Sequence, residues 1–242
     1  MITAAVIARD EESNIVACLE TLAWADERLV LDGGSSDLTV DLSRQAGARA
    51  EQRPFDDFPR QRNAAMALAE HDWVLFVDAD ERVTSELAAE VRQTVEHAEH
   101  DGYFVPRFNH ILGKVIRHTG WYPDYQMRLL DRRHARYDED VPVHEVVELD
   151  GGEPGYLREH LVHYNYQTLG QFFRKQESYS DFEASQLLAG GPVRARSLLS
   201  MPIREFARRY WQLQGYRDGG HGLLLSLLMA YFTFRRYQKC FS

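Results

Sequence analysis

Apolar positions along this chain follow two rhythms. Short unbroken runs come first, in Thr3-Ala4-Ala5-Val6-Ile7-Ala8, Arg28-Leu29-Val30-Leu31-Asp32 and Trp73-Val74-Leu75-Phe76-Val77. Runs so short and continuous suit strands buried on both faces, as in a parallel sheet. Between them the spacing turns helical. Ile15, Cys18, Leu19, Leu22 and Ala23 share one face after Ser13 or Asn14, either of which can cap. A second helix opens at Ser36 or Asp37, and a weaker strand lies near residues 48–53. An alanine-rich helix then runs from Arg60 to Ala69. Strands alternating with helices imply right-handed βαβ crossovers. The expected fold is therefore α/β, a mainly parallel, Rossmann-like doubly wound sheet flanked by helices.

The rhythm changes after a helix from Thr84 to about Ala98. Residues 102–108 alternate, and the next fifty are aromatic, histidine-rich and irregular, with Pro123, Pro142 and Pro154. They predict a small antiparallel region laid across one end of the sheet. From Leu169 the pattern is helical again, broken at Gly190-Gly191-Pro192 and at Gly219-Gly220. The division expected is 1–100 for a ligand-binding α/β half, 101–168 for a second binding region completing that domain, and 169–242 for a helical tail.

Charge sharpens this picture. The formal net charge of −9 argues against general nucleic-acid binding. Residues 1–150 carry 16 basic and 30 acidic side chains, whereas residues 151–242 carry 12 and 7. In the tail, Ile203, Phe206, Ala207, Tyr210 and Leu213 form an apolar stripe with Arg204, Arg208 and Arg209 off it. The apolar run from Leu223 to Phe234 covers 12 residues, short of the roughly 20 needed to span a bilayer. A basic amphipathic helix beside a short apolar one suits lying in a membrane interface; packing on the parent domain or on a second subunit is the alternative. The distant Cys18 and Cys240 have no metal-ligand spacing, and no secretory signal precedes Thr3, so a reducing cytoplasm is expected.

Candidate chemistry gathers at strand ends, where ligands of parallel sheets bind. Asp78 and Asp80 follow the Trp73 run at i, i+2, so an extended chain would aim both the same way. Two carboxylates so close call for a hard divalent cation, Mg²⁺ or Mn²⁺, between them and an anionic ligand. Capping of the helix near Thr84 is the plainer reading. Asp32 ends the second strand before Gly33-Gly34, where backbone can approach a ligand closely.

Several stretches resemble family 2 glycosyltransferases of the GT-A fold. These are Arg9-Asp10-Glu11-Glu12-Ser13-Asn14-Ile15, Val30 to Asp37, Gln61-Arg62-Asn63-Ala64 and Phe76 to Glu81. Trp121 to Leu129 and Pro142-Val143-His144-Glu145 are similar to the branch containing lipopolysaccharide-core β-glucosyltransferases. The resemblance implies an inverting, metal-dependent hexosyltransferase using a nucleotide-diphosphate sugar, first a UDP-sugar. A saccharide or glycolipid acceptor is implied with it, and the basic amphipathic tail adds the expectation of attachment to the inner face of the cytoplasmic membrane. It assigns Asp80 as direct metal ligand, Asp78 to the ribose or metal, Asp32 to the base, and Glu11 to the donor beside Asp10 and Glu12. His163 would complete the metal shell, with His160 as its rival. Arg62 either faces the phosphates or is an exposed helix arginine. Trp121, Gln126 and Arg128 would form the acceptor platform, although Trp121 also suits a core.

Inversion in a single displacement needs a carboxylate to take the acceptor proton. Glu145 is the candidate, with His144 orienting or contacting substrate; a solvated acidic loop is the alternative. An acceptor that is already an ionised polyprenyl phosphate would need no base. A phosphatase of the haloacid dehalogenase type expects Thr or Val where Arg82 stands, and a non-catalytic sugar-nucleotide-binding scaffold would not need acids at every strand end.

Overall fold

A computed structural model describes residues 1–140 and 146–241. The first element is β1 (Ile2–Ala8), followed by α1 (Ile15–Glu20), β2 (Glu27–Asp32), α2 (Thr39–Gln45) and β3 (Arg49–Gln52). Next come α3 (Phe58–Leu68), β4 (Trp73–Asp78), β5 (Glu81–Val83) and α4 (Ser85–Glu96). The chain continues through β6 (Gly102–Ile111), β7 (Lys114–Val115), β8 (Asp124–Asp131), β9 (Ala135–Tyr137), β10 (Val147–Leu149), β11 (Gly155–Tyr156) and β12 (Leu161–Tyr166). It ends in α5 (Leu169–Ala189), α6 (Ser197–Ala207) and α7 (Gly220–Lys239). A π turn (Arg208–Gln212) and a 3-10 turn (Gly215–Asp218) separate the last two helices.

Two compact units divide the chain, one formed by residues 1–107 and 125–163, the other by 108–124 and everything from 164 on. Residues 101–168 thus contribute to both. In the first unit the sheet order begins β3-β2-β1-β4, all parallel, as the unbroken apolar runs require. Strand β8 then pairs antiparallel with β4, Leu75 opposite Leu129, and the order continues β6-β12-β5. The later strands therefore extend the sheet instead of lying across its end, and only β9 and β10 form a separate antiparallel pair. The fold is the expected α/β architecture.

Helices cover both faces. Ile15, Cys18, Leu19 and Leu22 of α1 and the loop after it pack with Val6, Val30, Val77 and Leu87 on one side. Ala65 and Met66 of α3 pack with Leu29, Leu31, Val74 and Phe76 on the other. Burial of each such aliphatic side chain contributes roughly 1.5–3 kcal/mol. Caps mark the helix starts. Asp57 accepts from the Arg60 backbone amide at 2.8 Å, and Thr84 accepts from Leu87 at 3.1 Å. Thr84 fills the cap of α4, which frees Asp78 and Asp80 from that role.

In the second unit Ile111, Ile116, Tyr166, Phe172, Leu225 and Phe232 form a core. Asp218 organises it, accepting from the backbone amides of Arg117 and His118 at 3.3 and 2.9 Å. Gly222 lets α7 cross the 3-10 turn, since a Cβ there would lie 1.8 Å from the Gly215 carbonyl oxygen. The basic end of α7 finds acidic partners on α5. Lys239 meets Glu177 at 2.9 Å and Asp181 at 2.6 Å, and Arg235 meets Glu177 at 2.7 Å. Those cations are thus matched within the chain. Ile203 of the α6 stripe remains outward at 68% exposed, while Phe206, Ala207, Tyr210 and Leu213 are half-buried. Among the described residues no helix is long and apolar enough to cross a membrane.

Candidate active site

The site is built on strand ends of the first unit. β1 lies between β2 and β4, and its register sets Ala8 opposite Asp32 and Ile7 opposite Asp78. Two acids separated by one strand thus end their strands at the same edge of the sheet. The loops beyond β1 and β2 are laced together. Asp10 accepts from the Ser36 amide at 2.8 Å, while its own amide donates to Ser35 Oγ at 2.8 Å. The Glu11 amide donates to Thr39 Oγ1 at 2.8 Å, and the Glu12 amide to Asp37 at 3.0 Å. Asp10 adopts φ 55, a left-handed conformation that Asp tolerates better than most residues, and Gly34 sits at φ 94. The Glu11 carboxylate is half-buried and accepts from Asn14 Nδ2 at 2.7 Å.

Asp32 is fully buried. It accepts from the backbone amides of Gly34 and Ser35, both at 3.0 Å, and from Gln52 Nε2 at 3.3 Å. Burial works against its charge, but the hydrogen bonds from Ser35, Gln52 and Gly34 outweigh that and lower its pKa.

At the end of β4 the chain does not stay extended. Ala79 and Asp80 form a turn that delivers β5, so the i, i+2 alternation expected to align Asp78 with Asp80 does not apply. The two carboxylates have different partners. Asp78 receives Arg62 Nη2 at 3.1 Å and Arg128 Nη1 at 3.0 Å, and Arg128 Nη2 closes on its second oxygen. Burial opposes ionisation of Asp78, yet Arg128 and Arg62 hold its carboxyl well below the usual carboxylate range. Arg62 is 2% exposed, with its guanidinium 5.1 Å from the centre of the Phe76 ring, which excludes the exposed-helix reading. Arg128, placed by the resemblance on an acceptor platform, is 3% exposed and lies against Asp78.

Glu81, which the sequence did not single out, completes this lattice. It is fully buried, receives the Asp78 amide at 2.9 Å and Arg107 Nη1 at 3.0 Å, and lies 3.5 Å from Arg128 Nη2. Arg107 carried a readable signal. Tyr103 and Val105 are buried on β6, and Arg107 continues their i, i+2 face. Three guanidiniums and two carboxylates thus stand under the β4 tip.

Asp80 pairs with His163, Nε2 to Oδ2 at 3.4 Å. Strand β12 runs antiparallel to β5 with His163 in register with Glu81, which brings a residue 83 positions away to the turn. A carboxylate oxygen and an imidazole nitrogen at this spacing are a donor pair that fits a divalent cation with further positions filled by ligand oxygens. Among the described residues no group of three such side chains converges. Asp78 stands with arginines instead of a third donor.

The remaining candidates are dispersed. Gln126 is half-buried on β8. Trp121 belongs to the second unit, is half-buried, and packs against the edge of its core, edge-on to Tyr166 at 6.0 Å. His160 is half-buried just before β12. His144 and Glu145 lie outside the described residues.

Comparison with known proteins points one way. The family model described as glycosyl transferase family 2 matches residues 3–147. The lipopolysaccharide core biosynthesis glycosyltransferase LpsC of Rhizobium meliloti is 25% identical over 247 residues, covering 99% of this chain and 92% of that protein. An uncharacterized glycosyltransferase of Rickettsia felis is also 25% identical, over 98% of this chain and 88% of its own. Among solved structures, S. aureus TarS 1-349 in complex with UDP-GlcNAc superposes with a TM-score of 0.52 at 14% identity, covering 96% of this chain and 81% of that one. At that identity the likeness speaks for the fold.

Proposed function

Because the chain belongs to glycosyl transferase family 2, we propose that it moves a sugar from a nucleotide-diphosphate donor, first a UDP-sugar, to a hydroxyl of a saccharide or glycolipid acceptor, inverting the anomeric centre. The family membership carries the transfer itself. The observation supporting the finer reading is the set of acids at one sheet edge, with Asp32 ending β2, Asp78 ending β4, and Asp80 paired with His163 just beyond. Similarity to LpsC along nearly the whole chain supports an acceptor in lipopolysaccharide core or another envelope glycan.

In this reading Asp32 and Glu11 hold the nucleoside, and the laced loops after β1 and β2 shape its seat. Asp80 and His163 would hold Mn²⁺ or Mg²⁺, which when bound supplies positive charge to the departing diphosphate. An imidazole beside a carboxylate departs from the all-oxygen shell Mg²⁺ prefers and favours Mn²⁺. Arg62, Arg107 and Arg128, against Asp78 and Glu81, leave a net positive floor beneath that turn. Such a floor suits a leaving group that gains negative charge. Glu145 takes the acceptor proton as the acceptor oxygen bonds to the anomeric carbon and the bond to the diphosphate breaks. The exposed apolar residues of α6 support peripheral contact with a membrane surface.

A thermal-shift panel of nucleotide sugars with Mn²⁺ tests the donor class, and the productive donor then serves in turnover assays. Glu145→Gln lowers turnover by about 10²–10⁴-fold while the donor-induced shift survives. Unchanged turnover would remove the general base and favour an acceptor that is already an anion, such as a polyprenyl phosphate.

A further inference from the structure

In the second unit a cavity of about 560 Å³ opens between α5, α6 and α7. Four arginines line it, Arg204, Arg208, Arg209 and Arg236, against two acids, Glu183 and Glu205. Cations outnumber anions two to one there, in a chain that is acidic overall.

The acids do not use up the available donors. A guanidinium carries five N–H groups. Arg208 commits Nε and Nη2 to Glu205, at 2.9 and 2.8 Å. Arg209 commits Nε to Glu205 at 2.6 Å and Nη1 to the Thr119 carbonyl at 2.7 Å. Arg236 is paired with Glu183, yet its Nε is buried with no acceptor among the described residues. Arg204 has no ion-pair partner among them at all. Burial pulls Arg209 below the ordinary arginine range; Glu205 opposes this, and the like charges of Arg208 and Arg236 add to it. The side chains facing this space carry two more positive than negative charges, and several of their N–H groups have no protein acceptor among the described residues, a donor set that a multiply charged oxyanion fits.

We propose that this cavity is a binding site for a phosphomonoester or diphosphate group carried by a larger molecule. Planar guanidinium forks match phosphate oxygens in pairs, which accounts for arginine over lysine at every cationic position. A volume within the range of roughly 300–1,000 Å³ for small-molecule sites leaves room for more than a bare phosphate. The site is separate from the strand-end acids and does not rest on the transferase reading. A lipid headgroup and a soluble sugar phosphate both present this chemistry.

Calorimetry of the full chain with inorganic pyrophosphate in EDTA tests the site, since chelation removes the divalent cation proposed for the strand-end acids. Arg204→Gln and Arg204→Glu are the informative variants, because Arg204 has no internal partner whose loss would disturb folding. Wild type binds, and each variant raises Kd by about tenfold or more, with melting temperature and donor-induced shift unchanged. Sedimentation with phosphatidylcholine vesicles containing phosphatidic acid, competed by pyrophosphate, assigns the group to a lipid. Binding of glucose 6-phosphate without such sedimentation assigns it to a soluble sugar phosphate. No heat in wild type, or equal affinity in both Arg204 variants, overturns the proposal.

Discussion

Replacing Asp78 with Asn separates two residues that the sequence presents as a pair. In the native structure Asp78 is the shared acceptor of Arg62 and Arg128, whose side chains are each 3% exposed. An amide keeps the shape but turns an N–H₂ toward one guanidinium, so a buried cation loses its acceptor. Breaking a buried ion pair from one side costs about 3–5 kcal/mol. The Asp78 side chain is 32% exposed, and Glu81 remains near Arg128, so the low end, about 3 kcal/mol, applies. In a chain of this size each kcal/mol lowers the melting temperature by about 2–4 °C, which gives a fall of about 6–12 °C. Asp80→Asn removes only a partly exposed contact to His163, worth about 1 kcal/mol or less. It should melt near wild type and lose the Mn²⁺-dependent donor shift. Differential scanning calorimetry of both variants, with and without donor and Mn²⁺, decides the matter. Equal melting of Asp78→Asn and wild type would refute the view that the arginines depend on Asp78.

Acid should erase that difference. Asp78 has a depressed pKa when folded, so its stabilisation is complete above the unfolded value of about 3.9 and is lost as pH falls toward the folded value. The gap in melting temperature between wild type and Asp78→Asn should narrow steadily below about pH 4, and a gap that widens would contradict the sign. Cys18 is buried and its thiol is pushed up to about 12 by desolvation, so it should resist thiol reagents in native buffer and react once urea unfolds the chain. Fast native labelling at Cys18 would show that α1 opens. Ile203→Glu, on an outward face of α6, should weaken sedimentation with anionic vesicles without lowering the melting temperature. Equal sedimentation would argue against an interfacial α6. Cutting the chain at 203 is a poorer probe, because α7 supplies Leu225 and Phe232 to the second core.

Much of the α/β frame was legible because burial on both sheet faces writes itself as an unbroken apolar run. β1, β2 and β4 fall where those runs stand, with ends displaced by a residue at most. The capping residue of α3 was less visible: Asp57 caps it three residues ahead of the expected Arg60 opening. The geometry around Asp78 was hidden for a different reason. Whether a strand continues past its last apolar residue is decided by what the next segment pairs with, and β5 pairs with β12, nearly eighty positions later. The same distance problem concealed Glu81. An isolated glutamate reads as solvent-exposed, and only Arg107 and Arg128, 26 and 47 positions away, make its burial affordable. The apolar run of α7 did not show its inner face, yet Leu225 and Phe232 turn into the core of the second unit while Leu227 stays exposed.

The lacing of Asp10 to the Ser36 amide and of Glu12 to the Leu38 amide has a consequence for any molecule that lands on that rim. Two neighbouring segments that would otherwise wander independently are already tied, acid to amide, across the top of the sheet. Immobilising a loop residue costs about 1–2 kcal/mol of entropy at the moment of docking. Here that cost falls on folding, so an incoming guest keeps more of its contact energy as affinity. Asp10 and Glu12, conspicuous as charges, act in this light as mortar, and their removal would blunt recognition by loosening the brickwork.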